Sequence, residues 1–331
     1  MATALTTGLS TQQKLLRAHA AAGKLALLPT EEKNALLLAI ASAIEANEQN
    51  ILDANREDLE TPALEGAMRD RLLLTPARIQ EMARGVREVA SLADTIGEIL
   101  AEWTKPNGLR IRKVRVPLGV IGIIYESRPN VTVDTSVLAL KSGNAIVLRG
   151  GKEAARSSQR LVEIMTAIPG LPEGAIELLD SSTRQSVQEL IKARSLVDVI
   201  IPRGGAGLIA FISENSSVPV IETGAGNCHI FVDQSADFDM ADRIVINAKT
   251  QRPSVCNAAE KLLVHERIAV EYVPRIVKKL IEAGVEVRGD DKVRTLVAEF
   301  KIIAAAEQDR SVWVGEDSLR PIRNQQLGSL P

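Results

Sequence analysis

Aromatic residues are scarce in this chain: tryptophan, tyrosine and phenylalanine together make up 2% of 331 residues. A core of ordinary size must therefore be built from Leu, Ile, Val and Ala, and an apolar content of 45% supplies it. The scarcity also excludes a platform for single-stranded nucleic acid, which needs successive rings for stacking. Charge of one sign is lacking too. Forty Lys and Arg residues stand against 42 Asp and Glu residues, for a net charge of −2. With no basic stripe along the chain, nucleic acid and anionic membrane surfaces are not expected partners. No apolar run approaches the ~18 residues that a bilayer span requires. Three histidines and two cysteines are scattered without the spacing of a metal site. No secretory signal precedes the two thiols, Cys228 and Cys256, so both are expected to be free in a reducing compartment.

What is present suggests about two domains by length. No acidic residue occurs before Glu31, and the leading stretch carries Lys14, Arg17, His19 and Lys24. An organelle transit peptide and a first amphipathic helix both fit; the spacing of Leu15, Leu16, Leu25, Leu27 and Leu28 favours the helix. Residues 9–95 read as helices. Thr30 is expected to cap one that opens with Glu31 and Glu32, and Thr75-Pro76 to open another. The texture changes at about residue 109. Residues 109–116 alternate apolar and basic, as in a half-exposed strand. Residues 120–124 are continuously apolar, as in a strand buried on both faces. Strands at 145–148, 176–179 and 197–201 then alternate with helices at 152–166 and 183–193. This order implies a parallel sheet with helices on both faces. A second α/β stretch begins near Cys228 and reaches about residue 303. From about Asp309 the tail lacks periodicity, and no internal repeat is visible.

Four segments carry possible chemistry. Gly205-Ala206-Gly207-Leu208-Ile209-Ala210 follows an apolar run and opens a helix, a context in which glycines let backbone amides approach a pyrophosphate. A tight turn with no ligand is the plainer reading. Glu222, 17 residues beyond Gly205, is placed either as a ribose-binding acid or as a strand-end carboxylate. Leu148-Arg149-Gly150-Gly151-Lys152-Glu153 sets two cations beside two glycines at a helix start, suited to a phosphate or simply to solvent. Gln251-Arg252-Pro253-Ser254-Val255-Cys256-Asn257 presents a cysteine at a polar turn, which favours a reactive thiol over a buried structural one. An ordinary thiol with pKa near ~8.5 is only a few per cent thiolate at pH 7, so oriented amides or a nearby cation would have to raise that fraction. Tyr125-Glu126-Ser127-Arg128-Pro129-Asn130 leaves a strand at its carboxyl end, where ligands bind in parallel sheets. There Asn130 is either an oxyanion donor or a turn former. Cys228 and His229 are adjacent on an expected core strand through Ile230-Phe231-Val232, so they point to opposite faces and form no dyad.

Taken together, Val116-Pro117-Leu118-Gly119-Val120-Ile121-Gly122, residues 125–130, residues 148–153, Ile201-Pro202-Arg203-Gly204-Gly205-Ala206-Gly207-Leu208 and residues 247–257 resemble the γ-glutamyl phosphate reductases, or glutamate-5-semialdehyde dehydrogenases, of the aldehyde dehydrogenase superfamily. The resemblance runs from about Leu15 to about Ala306 and includes Met68-Arg69-Asp70-Arg71-Leu72. It implies an α/β, aldehyde dehydrogenase-like fold. Residues 1–225 would hold the N-terminal helices and a Rossmann-type NADP(H)-binding domain, residues 226–307 part of an α/β catalytic domain, and residues 308–331 an atypical tail. A small oligomerisation flap is also implied. Cys256 falls on the family nucleophile. Gly204, Gly205 and Gly207 fall where the dinucleotide phosphates approach. Arg149 and Lys152 fall near the adenosine ribose and suit the extra phosphate of NADPH. Glu222 matches the general base of hydrolytic relatives, although reduction of an acyl phosphate needs no activated water. Asn130 and the Cys256 amide are candidate oxyanion donors, and Arg128 or Arg252 a clamp for substrate carboxylate or phosphate. The implied reaction is NADPH-dependent reduction of γ-glutamyl phosphate to glutamate 5-semialdehyde in proline biosynthesis. It would take place in the cytoplasm, in a homo-oligomer linked functionally to glutamate 5-kinase.

Members of the family run longer. This chain diverges near Gln308, and 319–325 match nothing expected there. A frameshift or truncated gene product is one expectation, with apolar faces of a half-built sheet exposed and little reductase activity from this chain alone. The competing expectation to an active reductase is an inactive or partly folded fragment that keeps nucleotide or partner binding.

Overall fold

The computed structural model describes residues 8–60, 66–126, 128–222, 227–253, 255, 257–300, 302–305 and 313–314. The chain divides into two compact units, Met1–Gly224 and Ala225–Pro331.

The first unit opens with helices α1 (Thr11–Leu25), α2 (Thr30–Ala46), α3 (Glu48–Leu59), α4 (Gly66–Leu72) and α5 (Pro76–Ser91). A capping box starts α1: Ser10 Oγ accepts from the Gln13 amide and the Gln13 side chain accepts from the Ser10 amide. Leu15, Ala18, Ala22 and Leu25 recur at helical spacing and are buried. Leu16 and Leu27, expected on the same apolar face, are exposed. Lys14 Nζ reaches 164 residues along the chain to the carbonyl of Leu178 (2.7 Å). Thr75 caps α5 with Pro76 in its first turn, as its sequence indicates. Thr30 does not cap α2. Pro29 takes that position, and the Thr30 hydroxyl donates to Asp94 (2.8 Å), which also pairs with buried Lys33. An acid 64 residues away outcompetes the local amides.

Next comes an antiparallel ribbon of β1 (Ile99–Thr104) and β2 (Arg110–Val114). Sequence alternation anticipates β2 but not β1. Within β2 only Ile111 is half-buried; the rest is exposed.

The sheet that follows is built from β3 (Val120–Tyr125), β4 (Ala145–Arg149), β5 (Ile176–Leu178) and β6 (Val199–Arg203). Connecting helices are α6 (Pro129–Lys141), α7 (Ala155–Thr166) and α8 (Gln185–Ile191), with α9 (Ala206–Asn215) after β6. All strand pairs are parallel, in the order β5-β4-β3-β6. β3 is buried along its whole length, which matches its unbroken apolar sequence and central place. A Cβ on Gly122 would meet Leu190 of α8 at 3.4 Å. Tyr125, three residues on and so on the opposite face, bonds Thr132 of α6 (2.6 Å). Helices therefore cover both faces. The chain winds outward from β3 to β5, then returns through α8 to lay β6 on the other side of β3. That reversal puts a topological switch point between the carboxyl ends of β3 and β6.

The second unit holds β7 (His229–Val232), α10 (Phe238–Thr250), β8 (Lys261–Val264), α11 (Glu266–Glu282), β9 (Arg288–Gly289), α12 (Asp291–Leu296), β10 (Ile303–Ala304) and β11 (Trp313–Val314). Its strands pair in parallel as β11-β8-β7 and β10-β9. Tyr272, Val273, Ile276 and Val277 of α11 form its core with Val232 and Val264. Buried Asp242 of α10 accepts from Arg275 Nε (2.8 Å) and Lys279 Nζ (2.6 Å) of α11. The expectation of a core strand at Ile230-Phe231-Val232 is corrected. Ile230 packs on the core and Val232 is buried, but Phe231 is 39% exposed, so β7 alternates. Three apolar residues in a row are too short a run to tell a strand covered on one face from one covered on both.

Candidate active site

The switch point joins two of the segments that carry possible chemistry. Tyr125 pairs with Arg203 at the ends of β3 and β6, and the Glu126 amide donates to the Arg203 carbonyl (3.2 Å). The Glu126 carboxylate then accepts from the amide of Gly205, which directly precedes α9 (3.2 Å). No side chain caps that helix locally. A Cβ on Gly204 would lie 2.7 Å from the Glu126 carboxyl carbon and 2.8 Å from Leu208 Cδ2, so the missing side chain makes room for the carboxylate. Nothing lies within 4 Å of where a Gly207 side chain would start. The three glycines thus differ: Gly204 serves an internal contact, Gly205 donates to it, and Gly207 faces open space.

At the end of β4, Arg149 is engaged with backbone. It donates to the carbonyls of Gly150 (3.0 Å), Thr183 (2.9 Å) and Ser181 (3.5 Å), lacing the loop after β5 to the turn after β4. Burial lowers its pKa, Asp180 and Glu153 counter that, and the Arg184 charge adds to it. Lys152 is exposed, in a single 3-10 turn, Lys152–Ala154, that precedes α7. The first amides of α7 are already taken. Asp58 of α3 accepts from Arg156 N (3.1 Å), Ser157 N (2.8 Å) and Ser157 Oγ (2.7 Å). Asn55, one turn earlier, holds Ser157 Oγ, the Leu72 carbonyl and the Leu74 amide. The amides of Arg156 and Ser157 are therefore not open to a phosphate. A Cβ on Gly150 would stand 3.1 Å from the buried Tyr125 ring.

Arg128 directly precedes α6. Asn130, in its first turn, is exposed and donates its side-chain amide to Asp134 (2.9 Å). Burial pushes the Asp134 carboxyl up, against the pull of that bond. Glu222 follows a short stretch at Val220 that runs parallel to β6. It is exposed, and its carboxylate accepts from Ser213 of α9 (2.9 Å). Glu126, Arg128, Asn130, Arg149, Lys152, Gly204, Gly205, Gly207 and Glu222 accordingly share the carboxyl edge of one sheet. Asp58 and Asn55 carry no local signal: the partners of Asp58, and the Ser157 hydroxyl that Asn55 also holds, lie about a hundred residues on. Glu126 stands in a segment the sequence singles out, but its role there depends on β6.

In the second unit, residues 251–260 link α10 to β8. The Gln251 amide closes α10 onto Asn247, and the Ala259 amide donates to Ala248 (3.0 Å). Arg252 and Asn257 are exposed. Cys256 and its neighbour Ser254 lie outside the described residues. Cys228 forms no disulfide among the described residues; its carbonyl accepts from Glu260 N and Lys261 N, and the His229 ring contacts the Asn227 carbonyl (2.6 Å). Among the described residues no group of His, Cys, Asp or Glu is arranged for a metal.

Glycine turns at the carboxyl edge of a doubly covered parallel sheet, in a chain that also holds a second α/β unit, fit a class of oxidoreductase. A sequence model of the Aldehyde dehydrogenase family matches residues 5–297. The gamma-glutamyl phosphate reductase of Koribacter versatilis is 67% identical over 301 residues, 91% of this chain and 74% of that protein. A crystal structure of the gamma-glutamyl phosphate reductase from Thermotoga maritima superposes with a TM-score of 0.82 at 45% identity, covering 92% of this chain and 77% of the other. The fold extends to betaine aldehyde dehydrogenase of Staphylococcus aureus, solved with NAD+, at 18% identity and a TM-score of 0.64 over 85% of this chain and 54% of that one. The chain has the aldehyde dehydrogenase fold. Within that class it belongs to the gamma-glutamyl phosphate reductase family.

Proposed function

We propose that this chain reduces L-glutamate 5-phosphate to L-glutamate 5-semialdehyde with NADPH, releasing phosphate, as a step of proline biosynthesis in the cytoplasm. The 67% identity to a gamma-glutamyl phosphate reductase carries the reading. Residues 1–225 serve the nucleotide, and 226–307 supply the catalytic part. The turns at the switch point of the first unit support a dinucleotide there: Gly205 and Gly207 allow close backbone approach, and exposed Lys152 suits a ribose phosphate. Arg149 fixes the adjoining loops from behind.

The Cys256 thiolate attacks the acyl carbon, the bond to the phosphate oxygen breaks, and inorganic phosphate leaves behind a thioester. The chemistry that bound NADPH supplies is a hydride for the thioester carbonyl. The resulting oxyanion collapses, the carbon–sulfur bond breaks, and Cys256 regains its thiolate as the aldehyde departs. At each tetrahedral stage the Cys256 amide and Asn130 stabilise the oxyanion, a contribution of ~3–4 kcal/mol per donor in such sites. The Asn130 side-chain amide keeps a second N–H beside the one it gives to Asp134. Arg128 or Arg252 holds the substrate carboxylate or phosphate. Glu222 has no water to activate in this direction, and its bond to Ser213 keeps it as a structural acceptor. Because an acyl phosphate is labile, a kinase acting on the γ-carboxylate of glutamate must supply it, and a homo-oligomer is the working form.

The test runs the reaction backwards. Glutamate 5-semialdehyde with NADP+ should yield NADPH only when phosphate is added, and Cys256→Ser should abolish turnover while leaving NADPH binding intact. Oxidation without phosphate would instead make the chain a simple aldehyde dehydrogenase. Binding without turnover would favour an inactive fragment that keeps its nucleotide half.

A further inference from the structure

Glu126 has no part in that chemistry, yet its carboxylate rests on the Gly205 amide at the switch point, where a dinucleotide phosphate would come in. Gly204 leaves it a seat that any side chain would fill, at 2.7 Å from the carboxyl carbon, and Leu208 lines the same space. The contact is made for exchange rather than permanence. Glu126 is exposed and accepts one amide bond there at 3.2 Å. Asp58 of α3, at the start of α7, is by contrast buried and accepts three bonds. A carboxylate and a phosphate cannot share one amide, and within a few ångströms they repel.

We propose that Glu126 is a resident anion that occupies the Gly205 amide in the empty protein and must swing away when the dinucleotide pyrophosphate binds, so that it sets dinucleotide affinity. The inference rests on the nucleotide reading above. It gives Gly204 a purpose that the glycine pattern alone does not: the glycine admits the competitor of the ligand. Two consequences follow from the charge. Affinity for a ligand without phosphate, such as adenosine, is insensitive to Glu126. Affinity for the dinucleotide is held below what the amides would otherwise allow.

The deciding experiment measures the NADPH dissociation constant by nicotinamide fluorescence for the unaltered chain, Glu126→Gln and Glu126→Asp, with thermal melts to confirm folding. Glu126→Gln keeps the shape and removes the charge, and should bind NADPH about tenfold more tightly, the effect of one partly screened charge. Glu126→Asp, too short to reach Gly205, should fall between the two. Adenosine binding should not change. An unchanged constant in Glu126→Gln would overturn the inference and leave the nucleotide reading standing. Weaker binding would also overturn it, since that is the sign of a carboxylate accepting from ribose hydroxyls. Failure of every form, the unaltered chain included, to bind NADPH would sink both.

Discussion

The turn from β4 into α7 and the turn from β6 into α9 look alike as sequence. Each carries paired glycines, Gly150-Gly151 and Gly204-Gly205, between a strand and a helix. Each has backbone amides at its helix start met by a carboxylate from elsewhere in the chain. The occupants differ. Asp58 comes from α3, is buried, and satisfies two amides and a hydroxyl. Glu126 comes from the neighbouring strand end, is exposed, and satisfies one amide. The glycines differ in the same sense. Gly150 lies against the ring of Tyr125, which is buried and held by Thr132. Gly204 lies against the far ends of two side chains. One glycine turn is part of the architecture, and the other is a place where a ligand can compete.

Substitutions can break or sharpen this contrast. The largest effect is expected from Asp58→Ala, which strands the buried Ser157 amide and removes the acceptor of the part-buried Arg156 amide. A loss of about 3 kcal/mol in urea unfolding is expected, typical of a buried charged acceptor with several donors. An unchanged midpoint would mean that α7 is not sealed by Asp58 in solution. Gly150→Ala comes next. Its new methyl would press on a ring that cannot move, so about 1–3 kcal/mol should be lost, with a matching fall in melting temperature. Tyr125→Phe removes only the hydroxyl that bonds Thr132 and Ser158 and should cost about 1 kcal/mol in the same measurement. Gly204→Ala is the mildest. The Glu126 carboxylate and Leu208 can give way, so stability should stay within about 0.5 kcal/mol. NADPH should then bind more tightly, in the same direction as for Glu126→Gln. If Gly204→Ala proves as destabilising as Gly150→Ala, the two turns are equivalent and the contrast fails.

Much of the first unit's fold was legible because it follows from periodicity. The unbroken apolar run of β3 demands cover on both faces, and the alternation of strands with helices demands parallel pairing. Thr75-Pro76 was legible because a cap and its helix are local. Thr30 was not, because Asp94 bonds its hydroxyl from 64 residues away. β1 lacked the basic alternation that marks its partner, so only the pairing reveals it. In the site, the glycine turns and the position of Arg149 could be placed on the carboxyl edge from sequence. Their partners could not. Arg149 reads as a free cation until the carbonyls of Ser181 and Thr183 are found around it. The start of α7 reads as an open seat for an anion until Asp58 is found on it.

The bond from Lys14 of α1 to the Leu178 carbonyl has a bearing on how the protein is made. On the ribosome, α1 emerges well before β5 exists, and α3 well before α7. The helices at the start of the chain must therefore wait, their polar groups borrowed by water, until the strands they will cover have been synthesised. Translation order and assembly order run against each other here. The slow step of folding should be the return of this early helical layer onto a sheet completed after it, as expected when ordering a long chain precedes the contacts that reward it.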